Sequence, residues 1–365
     1  MIPIFWRYLL RSYLQAFCLS VVGFIAILLV TRFQEIARFA ALGATKKAVA
    51  LFSLYQIPYI LPLAIPISCM IAAILLFQRL SQLHELTALR ASGLSLKAIS
   101  YPIFFAAGAL SLLNFFIVSE IAPICRAHSK NLVYQITATN PLFLLQRDPL
   151  IKIRNSYTDM KRLQAGKKAD DVLFVILNAG HKRLNVMTAK ELAVKDNLLT
   201  GKEVSFISNV EAKNTLNFDH LIIENQRSMS TEASTLSQFL QDVEWHHNPD
   251  YLPSRLLLLK ERAEQKQLGS LHATHLEIAR RFSLAIAAIS FTLIGTAFGM
   301  QIGRNRNKRG VVYAICLSAF FLICFLVAKS TRHSVFIPVL FYLLPHPIIV
   351  LFSYLFMRKI QEGKE

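Results

Sequence analysis

The sequence predicts a membrane α-helical bundle of about six transmembrane helices, arranged three and three, with a β-rich domain inserted between the halves. Three observations carry this. Of 365 residues, 54% are hydrophobic and only 17% charged, and the mean hydropathy is +0.43; a soluble domain carries about 25% charged residues. The apolar residues gather in runs of about 18 or more, longer than a globular core needs. Between the third and fourth runs lies a long polar stretch with a different texture, dotted with short β-branched segments.

The six runs are approximately Tyr13–Thr31, Ile57–Phe77, Ala98–Val118, Phe282–Ile302, Val311–Ala328 and Val335–Met357. Arg7 and Arg11 precede the first run in the manner of a secretion signal. The run is nevertheless long enough to span, and no cleavage site follows it directly, so it reads as a retained helix. Orientation follows from Lys and Arg in the short loops. With the N-terminus inside, the cytoplasmic segments hold Arg7, Arg11, Arg79, Arg90, Lys97, Arg304, Arg306, Lys308, Arg309, Arg358, Lys359 and Lys364. The outside loops hold half as many: Arg32, Arg38, Lys46, Lys47, Lys329 and Arg332. Both termini are therefore expected in the cytoplasm and the polar domain outside it, and the outside positives need their own explanation.

Within the outside domain, Leu150–Arg154, Val172–Leu177, Leu184–Val186, Lys190–Val194, Glu203–Ile207 and Leu221–Glu224 are strand-like. Turn residues separate them, and their spacing suggests a sandwich or jelly roll. From Pro253 the pattern becomes helical: Ser254 can cap Arg255–Gln267, Gly269 closes that helix, and His272–Arg281 leads into span four. The expected division is residues 1–122 with spans one to three, 123–252 as the β domain, and 253–365 as a connecting helix with spans four to six.

A net charge of +18 on a soluble chain would suggest nucleic acid. Here no aromatic-basic binding signature accompanies it, and contact with anionic lipid explains it better. The five cysteines form no C-x-x-C pair, and four sit inside apolar runs, so they read as small buried hydrophobes. His272 and His275 have helical metal-ligand spacing but no third ligand, and His84-Glu85 is not followed by a histidine at 88. No metal site and no cofactor are expected. Neither a phosphate-binding G-x-x-x-x-G-K-[ST] loop nor a G-x-S-x-G elbow occurs, so the chain is not expected to be an enzyme.

Three features of the spans bear on function. Between spans two and three, Arg79 to Ser95 forms a short amphipathic helix with leucines at 80, 83, 86 and 89, stopped at Gly93, with Ser95 able to cap span three. Such a helix either lies passively at the interface or transmits force from a soluble partner. Pro58, Pro62 and Pro66 recur every four residues in span two; they bend it, and they suit equally a simple kink or a cavity-lining helix. Gly295, Gly299 and Gly303 in span four let another helix approach closely and read as packing residues.

The segment Glu85-Leu-Thr-Ala-Leu-Arg-Ala-Ser-Gly-Leu-Ser95 resembles the coupling segment of the LptF/LptG family of lipopolysaccharide-export permeases. Arg7-Tyr-Leu-Leu-Arg11, Leu61-Pro-Leu-Ala64, Arg280-Arg281 and the Gly303-Arg304 to Arg309-Gly310 loop match in the same order, so the resemblance covers essentially the whole chain. It implies six helices with a periplasmic β-jelly roll, and an inner-membrane subunit of an ABC-type exporter that extracts lipopolysaccharide and passes it to a periplasmic bridge. The implied partners are a cytoplasmic ATPase dimer, a paralogous permease completing a heterodimer, periplasmic bridge proteins and lipopolysaccharide itself, with no nucleic acid. By position, Glu85 and Arg90 would serve ATPase coupling, and Arg32 and Arg38 would face the phosphorylated sugar head, with Lys46 and Lys47 as weaker candidates. Surface anchoring is the alternative for all four cations. The rival functions are a mechanotransmitting ABC permease that moves no lipid and a membrane-anchored enzyme. Mechanotransmitters place the large outside domain between the first two of four spans, and no convergent acid, base or nucleophile set supports an enzyme.

Overall fold

The computed structural model describes residues 4–139, 150–153, 156–164, 168–177, 184–195, 198–210, 220–232, 248–264, 268–300, 309–331 and 336–362. These divide into two compact units: Met1–Gln34, Ser53–Ala127 and His247–Glu365 in one, and Glu35–Phe52 and His128–His246 in the other.

The helical unit draws on α1 (Ile4–Ala41), α2 (Lys46–Gln82), α3 (Glu85–Ala91), α4 (Leu96–Phe116), a π-helical turn (Ile117–Ile121) and α5 (Ala122–Thr139). After the β strands come a 3₁₀ turn (Pro249–Tyr251), α6 (Ser254–Glu264), α7 (Leu268–Gly299), α8 (Arg309–Ser330), α9 (Phe336–Leu343) and α10 (Pro345–Gln361). Six of the resulting helical stretches are long and apolar enough to cross a bilayer. Several outrun the apolar runs that announced them. At 38 residues, α1 is roughly 57 Å long, against about 30 Å of hydrocarbon. The last span is two helices, because Pro345 cannot continue the ladder of α9. Gly269, expected to close a helix, lies inside α7, and Ser254 gives its hydroxyl to tertiary contacts instead of a cap.

Within the bundle, α7 is the most enclosed span and α1 the least: 78% of its most apolar window is buried in α7 and 6% in α1. The apolar core joins Tyr13, Phe77, Ile103, Phe291, Ile294 and Ile349. Small residues let α2 and α7 meet. A Cβ on Gly295 would lie 2.5 Å from the Met70 carbonyl oxygen, and one on Gly299 would lie 3.0 Å from the Ile74 Cα. The prolines of α2 each remove one donor from the helix ladder. The Pro62 carbonyl, freed by Pro66, accepts from Asn114 Nδ2 at 3.3 Å; the same amide donates to the Leu284 carbonyl at 2.8 Å, and Ser111 Oγ donates to Ala285 at 2.7 Å. Polar glue of this kind also ties α10 to α7, where His346 sits 3.1 Å from Ser283 Oγ and 2.9 Å from Ser290 Oγ.

The second unit holds an antiparallel six-stranded sheet: β1 (Leu150–Ile153), β2 (Ser156–Gln164), β3 (Lys168–Leu177), β4 (Leu184–Lys195), β5 (Leu198–Val210) and β6 (His220–Glu232). Neighbours follow sequence order throughout, so the described strands form a meander without the crossover of a jelly roll. Its ladders skip one row: Lys161, Asp171, Lys190, Glu203 and Arg227 are passed over where Met160, Val172, Ala189, Val204 and Gln226 resume the pairing. The skip shifts the inward alternation by one residue. Ala169 is therefore followed inward by Val172, Ala189 by Leu192, and Leu199 by Val204 after Gly201, so one apolar face continues across the corner. Asp171 and Glu203 take the left-handed φ values of 51° and 48° that this corner demands. At Gly201 a Cβ would come within 2.6 Å of Val204 Cγ2, so the bend needs glycine there. The skipped residues alternate in charge, and Lys190 pairs with Glu203 at 3.0 Å and Lys161 with Asp171 at 3.6 Å. Beside them, hydrogen bonds from Lys202 and Lys168 hold the Glu191 carboxyl below the usual carboxylate range. A smaller apolar cluster of the same unit stacks Phe39 on Phe52, with ring centroids 4.3 Å apart.

Candidate functional site

A cavity of about 540 Å³ opens inside the helical unit, lined by Arg32 of α1, Tyr59 of α2, Arg126 of α5, Asp250 of the 3₁₀ turn, Glu277 and Arg280 of α7 and Lys329 of α8, among apolar residues such as Leu28, Leu63 and Phe325. Four cations and two carboxylates leave a formal charge of +2. Placement follows from chain chemistry: Arg32 and Lys329 stand where apolar runs give out, and Arg126 follows the π turn by one helical turn. Arg126 Nη1 pairs with Asp250 Oδ2 at 3.2 Å. The guanidinium carbons of Arg32 and Arg126 lie 4.6 and 4.3 Å from the centre of the Tyr59 ring. Tyr251 lies near Arg126 as well, and burial raises its phenol pKa, which keeps it neutral. The combination of a net positive lining with an apolar wall suits a ligand with an anionic head and an acyl body.

The wall of this cavity is fastened by Arg281, whose side chain is 2% exposed. All five of its N–H donors are used. Nε donates to Glu277 Oε1 at 2.7 Å, Nη1 to the Ser119 carbonyl at 3.2 Å and to Ser254 Oγ at 3.0 Å, and Nη2 to the carbonyls of Pro249 at 3.2 Å and Leu252 at 2.7 Å. The π turn and the 248–254 segment are thus pinned to α7 by one side chain. Glu277 also takes a bidentate contact from Arg280, at 2.7 Å from Nε and 2.6 Å from Nη2. Arg281 is structural, therefore, whereas Arg280 lines the cavity.

Of the two arginines expected to face a headgroup, the cavity includes Arg32 and omits Arg38. Arg38 is exposed and belongs, with the equally exposed Lys46 and Lys47, to the other unit. At the opposite end of α1, Tyr8 Oη donates to Glu85 Oε2 at 3.2 Å. Residues 79–82 complete α2, and the amphipathic segment reduces to the seven residues of α3. It is preceded by His84 at φ 57° and followed by Gly93 at φ 89°. Leu80 and Leu86 are buried while Leu83 is exposed, so α3 rests on the bundle by one side and leaves Glu85 and Arg90 partly accessible. Ser95 Oγ accepts from Ala98 N at 3.2 Å and caps α4. Gly295 and Gly299 serve the α2 contact described above, and Gly303 lies outside the described residues. His275 pairs with Glu261 at 2.9 Å, while the His272 side chain lies outside the described set. Among the described residues no three His, Cys, Asp or Glu side chains gather as a metal site would require.

Sequence reasoning passed over Tyr59, Arg126, Asp250 and Glu277. One signal was available: Glu277, Arg280 and Arg281 have the i, i+3 and i, i+4 spacing of helical ion pairs, within an otherwise apolar approach to span four.

A comparison with curated proteins finds no match. The family model for the lipopolysaccharide export system permease LptF/LptG matches residues 7–359, a range that reaches into all six helical spans and includes the whole sheet. With its six apolar helices and inserted β unit, this inner-membrane, multi-pass chain belongs to the LptF/LptG family of lipopolysaccharide export permeases.

Proposed function

We propose that this chain is the membrane subunit that receives lipopolysaccharide in an ABC-type exporter, and that the cavity holds the phosphorylated headgroup. The observation that carries this is the set of cations contributed by four separate helices to one apolar-walled cavity. In a membrane, isolated charges are costly and mark substrate pathways. Arg32 carries the reading; Arg126, Arg280 and Lys329 extend it, and Arg38 has no part in it. The cavity lies at the end of α1 opposite Tyr8 and Glu85. With both termini cytoplasmic it faces the periplasmic side, as the loop-charge asymmetry supports.

The energetics favour enclosure. Each methylene drawn into water costs about 0.8 kcal/mol, so a lipid with several acyl chains must pass from one apolar surface to another. The inward face of the bent sheet, apolar on both sides of its corner, suits the next station, in the periplasm. Energy comes from a cytoplasmic ATPase dimer, because the sequence contains no phosphate-binding loop. The α3 segment with Glu85 and Arg90 is its docking surface, and a paralogous permease and periplasmic bridge proteins complete the path. The layout disfavours a mechanotransmitter that moves no lipid.

The test is photocrosslinking in cells from a probe at Leu63, inside the cavity. Lipopolysaccharide should be captured, Arg32→Ala should lower its yield by tenfold or more, and Arg38→Ala should leave it near the parent level. Equal yields from all three proteins, each assembled, would refute the assignment.

A further inference from the structure

We propose that Asp250 is a stand-in for the phosphate of the substrate: it occupies Arg126 while the cavity is empty, yields that arginine to an incoming headgroup, and takes it back as the headgroup leaves. The proposal rests on the cavity reading above and adds the residue that keeps binding reversible.

Two carboxylates line a cavity that is cationic in sum, and they are held in different ways. Glu277 is 5% exposed and takes hydrogen bonds from both Arg280 and Arg281, so it belongs to the wall. The Asp250 side chain is 40% exposed and meets Arg126 with Oδ2 at 3.2 Å from Nη1. The backbone around Asp250 is fixed independently of that pair. Arg281 Nη2 holds the Pro249 carbonyl at 3.2 Å and the Leu252 carbonyl at 2.7 Å, and Asp250 N donates to Asn248 Oδ1 at 3.2 Å. The carboxylate can therefore swing away by side-chain rotation alone while the 3₁₀ turn stays in place. Arg126 stays as well. Its guanidinium carbon lies 4.3 Å from the centre of the Tyr59 ring and 5.6 Å from that of Tyr251, cation–π contacts that persist whichever anion the arginine holds.

Exchange suits a site that must also let go. A phosphomonoester carries a charge of about −1.5 to −2 near neutral pH and three strong acceptor oxygens, whereas a carboxylate carries a single charge and two oxygens. The phosphate therefore wins the arginine, but one ion pair breaks for each that forms, and only the difference between the two anions is gained. No idle donor is required, because the phosphate takes the Nη1–H that Asp250 gives up. Without the Asp250 charge the formal sum over the lining would rise from +2 to +3, and a multiply charged headgroup would be held more tightly and leave more slowly. A transport site has to bind well enough to fill and weakly enough to empty. The tethered carboxylate covers the bared guanidinium as the headgroup departs.

The experiment uses the full transport complex in nanodiscs, with crosslinking from Leu63 titrated against lipopolysaccharide and against the same lipid after enzymatic removal of its phosphates. Asp250→Asn keeps the shape of the side chain and removes its charge. It should lower the lipid density at half-maximal capture about fivefold for the phosphorylated lipid, the upper end for an ion pair of this exposure, and not for the dephosphorylated one. After ATP is added, captured lipid should fall more slowly in Asp250→Asn than in the parent, and Asp250→Glu should return both readouts toward the parent. Asp250→Ser replaces Asp250→Asn if that protein fails to assemble. A residue that merely braces the turn would lose capture when substituted. Weaker capture by Asp250→Asn, an equal gain on both lipids, or an unchanged half-maximal density therefore overturns the proposal. If Arg32→Ala lowers capture while Asp250→Asn does not raise it, the exchange fails and the headgroup site stands. If neither substitution changes capture, the headgroup site itself fails.

Discussion

Replacing Arg281 with methionine isolates the part of the site that is architecture. The substitution keeps a long apolar stem and removes five donors, four of which serve the Ser119, Pro249 and Leu252 carbonyls and Ser254 Oγ. Breaking a buried ionic network by removing one partner costs about 3–5 kcal/mol. Arg280 remains bound to Glu277, so the carboxylate is not orphaned, and the lower half of that range applies. A loss of about 3–4 kcal/mol corresponds to a fall in melting temperature of roughly 6–16 °C for a unit of this size. Arg280→Met removes two bonds from a side chain 23% exposed and leaves Arg281 to hold the carboxylate, so its expected fall is less than half as large. Arg281→Lys, with three donors on a point charge, should lie between. Thermal unfolding of the purified protein in detergent, followed by size-exclusion recovery, measures all three. An Arg281→Met protein melting within 2 °C of the parent, or an Arg280→Met protein melting lower than Arg281→Met, would refute the division between a structural and a cavity-facing arginine.

Gly295→Ala should cost about 1–3 kcal/mol through the contact with Met70, whereas Gly23→Ala, with nothing within 4 Å of its Cβ, should be neutral; paired melting curves check this. Asn114→Leu removes donors from the Pro62 and Leu284 carbonyls and should cost about 1 kcal/mol per bond, read as reduced melting temperature at unchanged membrane insertion. Glu85→Lys should lower co-purification of the ATPase by tenfold or more while leaving the melting temperature within a few degrees, because its described contact is an exposed one to Tyr8; normal ATPase recovery with normal transport would remove the docking role.

The spans were legible because lipid leaves only composition to read: a long apolar run is sufficient to mark a helix. Their ends were not. Polar Gln34, Glu35 and Arg38 continue α1 without a break, and the Pro345 interruption lies inside an apolar run that reads as a single helix. The sheet's strands were partly legible for a similar reason. The pattern of apolar alternation breaks near the corner, so β4 reads as two short strands, Leu184–Val186 and Lys190–Val194, and β2, with Ser156-Tyr-Thr-Asp-Met-Lys-Arg-Leu-Gln164, shows too little alternation to be read at all. Arg32 was legible as a positive charge on the disfavoured side of a span. Lys329 was legible in the same way; Tyr59, Arg126, Asp250 and Glu277 were not, because they lie tens to hundreds of residues apart and only helix packing gathers them.

The central claim is that the phosphorylated headgroup of lipopolysaccharide sits among Arg32, Arg126, Arg280 and Lys329. The most direct measurement is a cryo-EM reconstruction of the nucleotide-free transport complex in nanodiscs containing lipopolysaccharide. The account predicts phosphate density within hydrogen-bonding distance of the Arg32 or Arg126 guanidinium, with acyl density along Leu28, Leu63 and Phe325. Lipopolysaccharide density elsewhere in the complex, with this cavity empty or filled by an ordinary phospholipid, would contradict it.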